Sequence, residues 1–181
     1  MKLMFASDIH GSAYYCRKML EAYQKEKVGR LILLGDILYH GPRNDLPKQY
    51  APKEVAALLN REKEEICAVR GNCEAEVDQM VLEFPVMADY CIIIEGKHTI
   101  YATHGHIFHE KNLPPLKAGD ILIHGHTHVL RAEDKGNYIL LNPGSVSIPK
   151  EGNPPTYGIL EDSVFQVKDF EGKIVKEIRL P

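Results

Sequence analysis

The N-terminal half of the chain alternates short apolar segments with helical ones, and this alternation restricts the possible folds more than any other feature. The segments "KLMFA", "RLILLGD" and "ICAVRGNCE" predict three strands. Residues 12–27 predict a helix with Ser12 as its N-cap, and "KEVAALLNREKEE" predicts a second helix. Because strands joined by helices run parallel with the helices covering the sheet, the sequence predicts an α/β fold.

The second half of the chain changes character after residue 88. Six short apolar segments with Gly, Asn and Pro between them predict strands: "DYCIIIEG", "KHTIYATHG", "DILIHGHTH", "YILLNPGS", "TYGILED" and "VFQVKDF". We expect this part to resemble a β-meander, and the whole chain to form two mixed β-sheets that pack together and are flanked by helices. No repeat or linker divides the 181 residues, which predicts a single domain over residues 1–181.

The charge and the cysteines disfavour several classes of protein. The formal net charge of −3 and the pI of about 6.3 argue against a protein that coats nucleic acid, since such proteins usually carry a basic stripe. The four cysteines form no C-x-x-C pair, and we expect reduced thiols. There is no signal-peptide pattern and no apolar run near the roughly 20 residues that cross a bilayer. We therefore expect a cytoplasmic protein without a membrane partner.

The predicted strands end in side chains that can bind a metal. These are Asp8, His10, Asp36, Asn72, His104, His126 and His128. Loops at the carboxyl ends of parallel strands converge on one crevice, so these side chains are expected to meet there. Each motif alone is usually a plain turn, and only "GHTH" suggests chelation about as often as not. However, six of the nine histidines lie between residues 104 and 128, which scattered core or surface histidines would not produce.

The segment "LIHGHTHVL" raises a separate question, because three histidines alternate in it. If the segment is extended, its alternate side chains project to one side. His126 and His128 could then reach two ions that are roughly 3.5–4 Å apart, one each. We expect His124 to lie behind a ligand or at the strand end, and not to bind metal.

The ordered motifs D-x-H, G-D, G-N, H-G and G-H-x-H, with "NPGS" after them, resemble those of the calcineurin-like metallophosphoesterases. The small bacterial and archaeal phosphodiesterases of that family are especially similar. The resemblance implies an α/β/β/α sandwich with two metal ions. One ion would be bound by Asp8, His10, Asp36 and His128. The other would be bound by Asp36, Asn72, His104 and His126, so that Asp36 bridges the two.

The chemistry of this ligand set agrees with such a site. Two divalent cations with two carboxylates leave a net charge of about plus two, which favours a bound phosphate ester and an ionised water at neutral pH. Oxygen and imidazole ligands disfavour Ca²⁺ and Mg²⁺ and suit Mn, Fe, Co, Ni or Zn. The family resemblance alone favours Mn²⁺.

One motif departs from the family pattern, in which G-N is followed by a histidine thought to protonate the leaving group. Here "GNCE" has Cys73 at that position. A thiol near two cations tends towards thiolate, a poor proton donor, so we expect a preference for diesters with good leaving groups such as aryl esters. The alternative is that Cys73 is a small buried residue without a catalytic role.

Three further features are candidates for contact with substrate. Asn72 is expected to bind the non-bridging phosphate oxygens together with the metals. Arg43 could clamp a phosphate oxygen, although a solvent-facing loop arginine is the commoner case. The amides of Gly144 and Ser145 could line the pocket floor, unless "NPGS" is a plain turn.

The sequence therefore predicts a phosphodiesterase in which a metal-bridging hydroxide attacks a small phosphodiester in line. The alternatives are a phosphomonoesterase or nucleotidase at the same site, and a non-catalytic protein-binding module like the retromer subunit that this scaffold resembles. A nuclease is disfavoured by the net charge and by Cys73. Open strand edges in the second half could pair between subunits, so a dimer or tetramer is also expected.

Overall fold

Two β-sheets pack face to face in the computed structural model, which describes residues 1–181. In chain order the elements are β1 (Leu3–Ala6), α1 (Ala13–Glu26), β2 (Arg30–Leu33), α2 (Pro52–Asn60), β3 (Ile66–Ala68), α3 (Glu76–Val81), β4 (Tyr90–Glu95), β5 (His98–Thr103), β6 (Asp120–Ile123), β7 (Arg131–Asp134), β8 (Tyr138–Asn142), β9 (Thr156–Glu161), β10 (Val164–Asp169) and β11 (Ile174–Arg179). None of the three helices is long and apolar enough to cross a membrane.

The first sheet has six strands in the order β11-β10-β9-β1-β2-β3, and the second has five in the order β4-β5-β6-β8-β7. The predicted parallel pairing of β1, β2 and β3 is confirmed. The β-meander expectation holds for β9, β10 and β11, which extend the first sheet antiparallel. It is wrong for β5, β6 and β8, which run parallel because long connections return each strand to the same end of the sheet.

The helices follow the sequence signals with two exceptions. The Ser12 hydroxyl accepts a hydrogen bond from the Tyr15 amide, as an N-cap should. Helix α2 ends at Asn60, five residues earlier than predicted, because after Leu59 no apolar side chain can pack on the sheet until Ile66. Helix α3 was not predicted, and none of its residues is buried.

Side chains of the central strands alternate between two cores. Met4 and Leu31 face α1 and α2, whereas Leu3, Phe5 and Ile32 face the second sheet. Such strands are buried on both faces, which explains their uninterrupted apolar sequence. The outer face of the second sheet carries the loop 104–119 and no helix; there the Tyr101 hydroxyl donates to the Pro115 carbonyl.

Candidate metal centre

The loops after five parallel strands meet at one edge of the two sheets, and they bring the seven predicted metal-binding side chains together. Asp8 and His10 follow β1, Asp36 follows β2, Asn72 follows β3, His104 follows β5, and His126 and His128 follow β6. The convergence expected from strand ends is therefore present in the structure.

One group of donors surrounds the Asp8 carboxylate. Its Oδ1 lies 3.2 Å from His128 Nε2 and 3.6 Å from His10 Nε2. The two histidine nitrogens are 3.3 Å apart. Donor atoms about 2.0–2.2 Å from one ion would be separated by roughly 3–3.6 Å, so these spacings fit a shared cation.

A second group adjoins it through Asp36. His104 Nε2 lies 3.4 Å from Asp36 Oδ2, 3.2 Å from His126 Nδ1 and 3.1 Å from Asn72 Oδ1. Asp36 Oδ2 is also 3.7 Å from His10 Nε2 of the first group. Asp36 therefore lies between the two groups, as a bridging ligand would.

Backbone carbonyls set the orientation of three histidine rings. Nδ1 of His10 donates to Tyr39 O at 2.7 Å, Nδ1 of His104 to Leu34 O at 2.6 Å, and Nδ1 of His128 to Ile148 O at 2.7 Å. A carbonyl only accepts, so Nδ1 carries the hydrogen and the neutral ring presents the lone pair of Nε2 to the cluster. His10 and His128 thus direct two lone pairs at each other, an arrangement that requires a cation or a proton between them.

The carboxylates give a second indication that the cluster binds a cation. Asp8 is fully buried, and its Oδ1 has no hydrogen-bond partner. The other oxygen, Oδ2, accepts a hydrogen bond from the His126 amide at 3.0 Å, so Oδ1 is the atom left for a cation. Burial of a charged group with an unsatisfied oxygen is destabilising. With its donor set of oxygens and imidazoles, the cluster fits divalent transition-metal ions.

Five of the seven candidate ligands have a left-handed backbone conformation. The φ angles are +58° at Asp8, +49° at His10, +53° at Asp36, +64° at His126 and +60° at His128. Strained residues of this kind cluster at functional sites, where the surrounding structure holds them.

This finding corrects the expectation about the alternating histidines. Strand β6 ends at Ile123, so His126 and His128 lie in a turn and not in an extended segment. They reach the cluster because their backbones are left-handed. His124 is buried with Nδ1 3.0 Å from the Gly125 carbonyl, and it belongs to none of the groups of donors close enough to share one ion, as expected.

Two glycines allow the loops to approach one another. A Cβ on Gly71 would lie 2.2 Å from Asp36 Oδ1, and one on Gly125 would lie 1.8 Å from Ser7 Oγ and 2.7 Å from Asp8 Oδ2. Any larger residue at either position would displace a candidate ligand.

The charges of the cluster are strongly coupled. Burial opposes ionisation of Asp8 and Asp36, yet the histidines around them hold the pKa of both carboxyls below the usual value. Burial lowers the pKa of His104, but Asp36 and Asp8 outweigh it and raise the value to about 9. For His126, burial and then His104 lower the pKa to about 4. The cluster therefore attracts positive charge even without metal.

Glu74 was not predicted to have a role, but it joins two of the ligand-bearing loops. Its buried carboxylate accepts hydrogen bonds from the amides of Asp36 at 2.8 Å, Ile37 at 2.7 Å and Gly71. Burial and the Asp36 charge raise its pKa. Its place two residues after Asn72 in "GNCE" was the only sequence signal.

The "NPGS" loop supports Asp8 from behind and does not form the pocket floor. The Gly144 amide donates to the side chain of Asn142, and the Ser145 hydroxyl donates to the Asp8 carbonyl at 2.9 Å. Neither Gly144 nor Ser145 lines the cavity over the cluster. The expectation that their amides line it is wrong, because the loop is buried behind β1.

A cavity of about 370 Å³ opens over the cluster, and its walls contain the other predicted residues. Arg43, Asn72 and Cys73 line it, and so does Lys150, for which no sequence motif predicts a role. Arg43 and Lys150 are exposed, so the cavity has two free cations at its rim.

Cys73 is half-buried beside Asp36, and its amide donates to Asp36 Oδ1 at 2.9 Å. Burial, followed by the Asp36 charge, raises the pKa of the thiol. The protein alone therefore favours the neutral thiol, and the expected thiolate depends on bound cations.

Comparisons of the sequence with known proteins agree with this geometry. The model of the calcineurin-like phosphoesterase superfamily domain matches residues 1–163. The phosphodiesterase YfcE of Escherichia coli K12 is 50% identical over 167 residues, which cover 92% of this chain and 91% of YfcE. The phosphodiesterase MJ0936 of Methanocaldococcus jannaschii is 28% identical over 170 residues, 89% of this chain and 93% of that protein.

Solved structures are similar over the whole chain. The structure of the E. coli phosphoesterase YfcE matches with a TM-score of 0.98 at 46% identity and covers 100% of both chains. Vps29 of Entamoeba histolytica in complex with Zn²⁺ covers 100% of both chains with a TM-score of 0.64 at 19% identity, and shares the fold alone. These similarities confirm the predicted fold class and the resemblance carried by the motifs.

Proposed function

The chain belongs to the calcineurin-like phosphoesterase superfamily, and from this premise we propose that it is a metal-dependent phosphodiesterase acting at the seven-residue cluster. The proposal depends mainly on one observation. The Nε2 lone pairs of His10 and His128 face each other, next to Asp8 Oδ1, which has no hydrogen-bond partner. Three acceptors directed at one point favour a bound cation. The similarity to phosphodiesterases over nine-tenths of the chain supports the choice of reaction.

We propose two divalent ions, with Mn²⁺ favoured by the family resemblance. The first set of ligands is Asp8, His10, Asp36 and His128, and the second is Asp36, Asn72, His104 and His126. When bound, such ions activate water as a nucleophile at neutral pH and neutralise charge on the phosphate.

The remaining residues of the cavity bind and orient the substrate. The guanidinium of Arg43 can hold two phosphate oxygens in a bidentate contact, and Lys150 adds a second positive charge at the rim. The Asn72 side-chain amide would contact the non-bridging oxygens of a phosphate bound at the cluster. Together these groups favour a small phosphodiester over a neutral ester.

Cys73 restricts which esters react readily. A thiol whose pKa is raised by burial, or a thiolate stabilised by cations, transfers protons poorly to a departing alkoxide near neutral pH. Esters whose leaving group is a stable anion do not need that proton. The preferred substrates are therefore diesters of acidic alcohols, such as aryl phosphodiesters.

The proposal is tested with bis(p-nitrophenyl) phosphate and an Asp36→Asn variant. The wild type, after removal of metal with a chelator, should regain activity with added Mn²⁺ and bind two ions per chain by mass spectrometry. Asp36→Asn should bind fewer ions and lose at least about a hundredfold in kcat/KM. Asp45→Asn is the matched control, because Asp45 is exposed in the loop near the cavity. A wild type without metal-dependent hydrolysis of aryl mono- or diesters would instead favour a non-catalytic binding module.

A further inference from the structure

A second and larger cavity adjoins the metal cluster. It has a volume of about 720 Å³ and lies between α2, α3 and the loop after β2. Nine of its thirteen lining residues are hydrophobic, among them Leu38, Tyr39, Ala57, Val77 and Val81. Its size is that of a pocket for a small organic ligand.

Cys73 joins this apolar pocket to the cavity over the metal cluster, because its side chain lines both. The Cys73 amide is bonded to Asp36, so the junction lies directly beside the proposed bridging ligand. An ester group of a phosphate bound at the cluster therefore has a short path past Cys73 into the apolar pocket.

The wall of the pocket is also tied to the cluster. The Tyr39 carbonyl accepts the hydrogen bond that orients His10. The His40 ring makes edge contacts with both Tyr39 and Tyr50, with ring centroids 4.7 and 5.2 Å apart. Two of the three aromatic rings thus line the pocket and are held in place relative to a candidate ligand.

The polarity of the pocket selects among possible ester groups. Its charged or amide side chains are Lys53, Asn60 and Asp78. A sugar or glycerol group carries several hydroxyls, which would lose their hydration against apolar walls. An aromatic group has no hydroxyl hydration to lose, and its burial removes apolar surface from water.

We propose that this apolar pocket binds an aromatic ester group of the phosphodiester substrate. The inference rests on the proposed function, and it names the substrate class of the same site. The aromatic group fills the space between α2 and α3 while its phosphate is held at the cluster.

Three phosphonates test the proposal as competitive inhibitors of bis(p-nitrophenyl) phosphate hydrolysis by the metal-loaded protein: methylphosphonate, phenylphosphonate and 2-naphthylphosphonate. They differ in the apolar group and keep the same head group. The inhibition constant should fall at least about tenfold from methyl to naphthyl. The selectivity is expressed as the ratio of the methylphosphonate to the 2-naphthylphosphonate inhibition constant. In Val77→Glu and in Ala57→Trp that ratio should shrink at least about fivefold, while the inhibition constant of methylphosphonate stays unchanged.

Met80→Glu is the matched control for Val77→Glu. Met80 lies on the same helix, is 83% exposed and does not line the pocket, so the variant adds the same charge and should keep the wild-type ratio. Val77 is 62% exposed, so its replacement leaves the core intact.

Two results would overturn the proposal while leaving the phosphodiesterase function standing. One is metal-dependent hydrolysis whose inhibition constants are the same for all three phosphonates, or whose ratio of inhibition constants is the same in Val77→Glu and Ala57→Trp as in the wild type. The other is a change of sedimentation from oligomer to monomer in these variants with an unchanged ratio, which would assign the pocket to a contact between two copies. Absence of any metal-dependent hydrolysis refutes the proposed function itself.

Discussion

Replacement of Glu74 should show how much of the site depends on one buried carboxylate. In Glu74→Ala the amides of Asp36, Ile37 and Gly71 lose their acceptor in a place that water does not easily reach. Each unsatisfied buried N–H costs about 1–3 kcal/mol, so the free energy of unfolding should fall by roughly 3–9 kcal/mol. In Glu74→Gln the amide oxygen can serve Asp36 and Gly71, while its NH₂ opposes the Ile37 amide. That variant should lose about 1–3 kcal/mol.

Urea unfolding measures these differences, and metal titration measures their effect on the site. Both variants should also bind Mn²⁺ more weakly, because Glu74 fixes the loops that carry Asp36 and Asn72. Glu76→Gln is the control, since Glu76 is exposed and two residues away. If Glu74→Ala and Glu74→Gln unfold within about 0.5 kcal/mol of the wild type, the three hydrogen bonds do not support the site as described.

Three other predictions follow from the same contacts. Cys73→His places a proton donor near neutral pH beside the cluster and should raise kcat/KM for alkyl phosphodiesters at least about tenfold relative to aryl ones; an unchanged ratio would show that Cys73 does not limit leaving-group choice. Gly125→Ala should abolish metal binding measured by calorimetry, because its Cβ would meet Ser7 at 1.8 Å, whereas Gly29→Ala, with its nearest neighbour at 3.5 Å, should bind normally. For His104, the folded pKa of about 9 exceeds the ordinary 6.5, so its contribution to stability is complete below pH 6.5 and is lost as the pH rises through 9. Urea unfolding of the metal-free protein should therefore show a loss of up to about 3 kcal/mol between pH 6.5 and 9.5 that saturating Mn²⁺ removes; a flat profile in chelator would contradict it.

The sequence predicted the positions of the candidate ligands well because strand ends can be recognised locally. Apolar runs that are buried on both faces, such as "RLILLGD", end visibly where polar residues begin. Parallel pairing then places those ends at one edge, which needs no knowledge of side-chain geometry. The order of the motifs then identified Asp8, His10 and Asp36 as candidate metal ligands.

What the sequence could not reveal depends on contacts between distant segments. Glu74 is important because three amides from two loops donate to it, and its place in "GNCE" does not by itself predict that arrangement. Lys150 reaches the cavity rim only because its amide is bonded to the His128 carbonyl across the fold. The apolar pocket likewise depends on α3, a short helix without a buried face that periodicity does not detect.

The left-handed backbone conformation of five candidate ligands explains why this site can be built from so few residue types. A non-glycine residue in that conformation costs roughly 1–2 kcal/mol, and Asp, Asn and His tolerate it several-fold better than most others. The residues that suit the strained turns are therefore the same ones that offer oxygen and imidazole ligands. Replacing Asp36 with alanine would change conformation and coordination together, whereas asparagine keeps the turn and removes the charge. A loss of metal in Asp36→Asn, with a smaller loss of unfolding free energy in chelator than in Asp36→Ala, would thus assign the role of Asp36 in metal binding to its charge and not to its backbone.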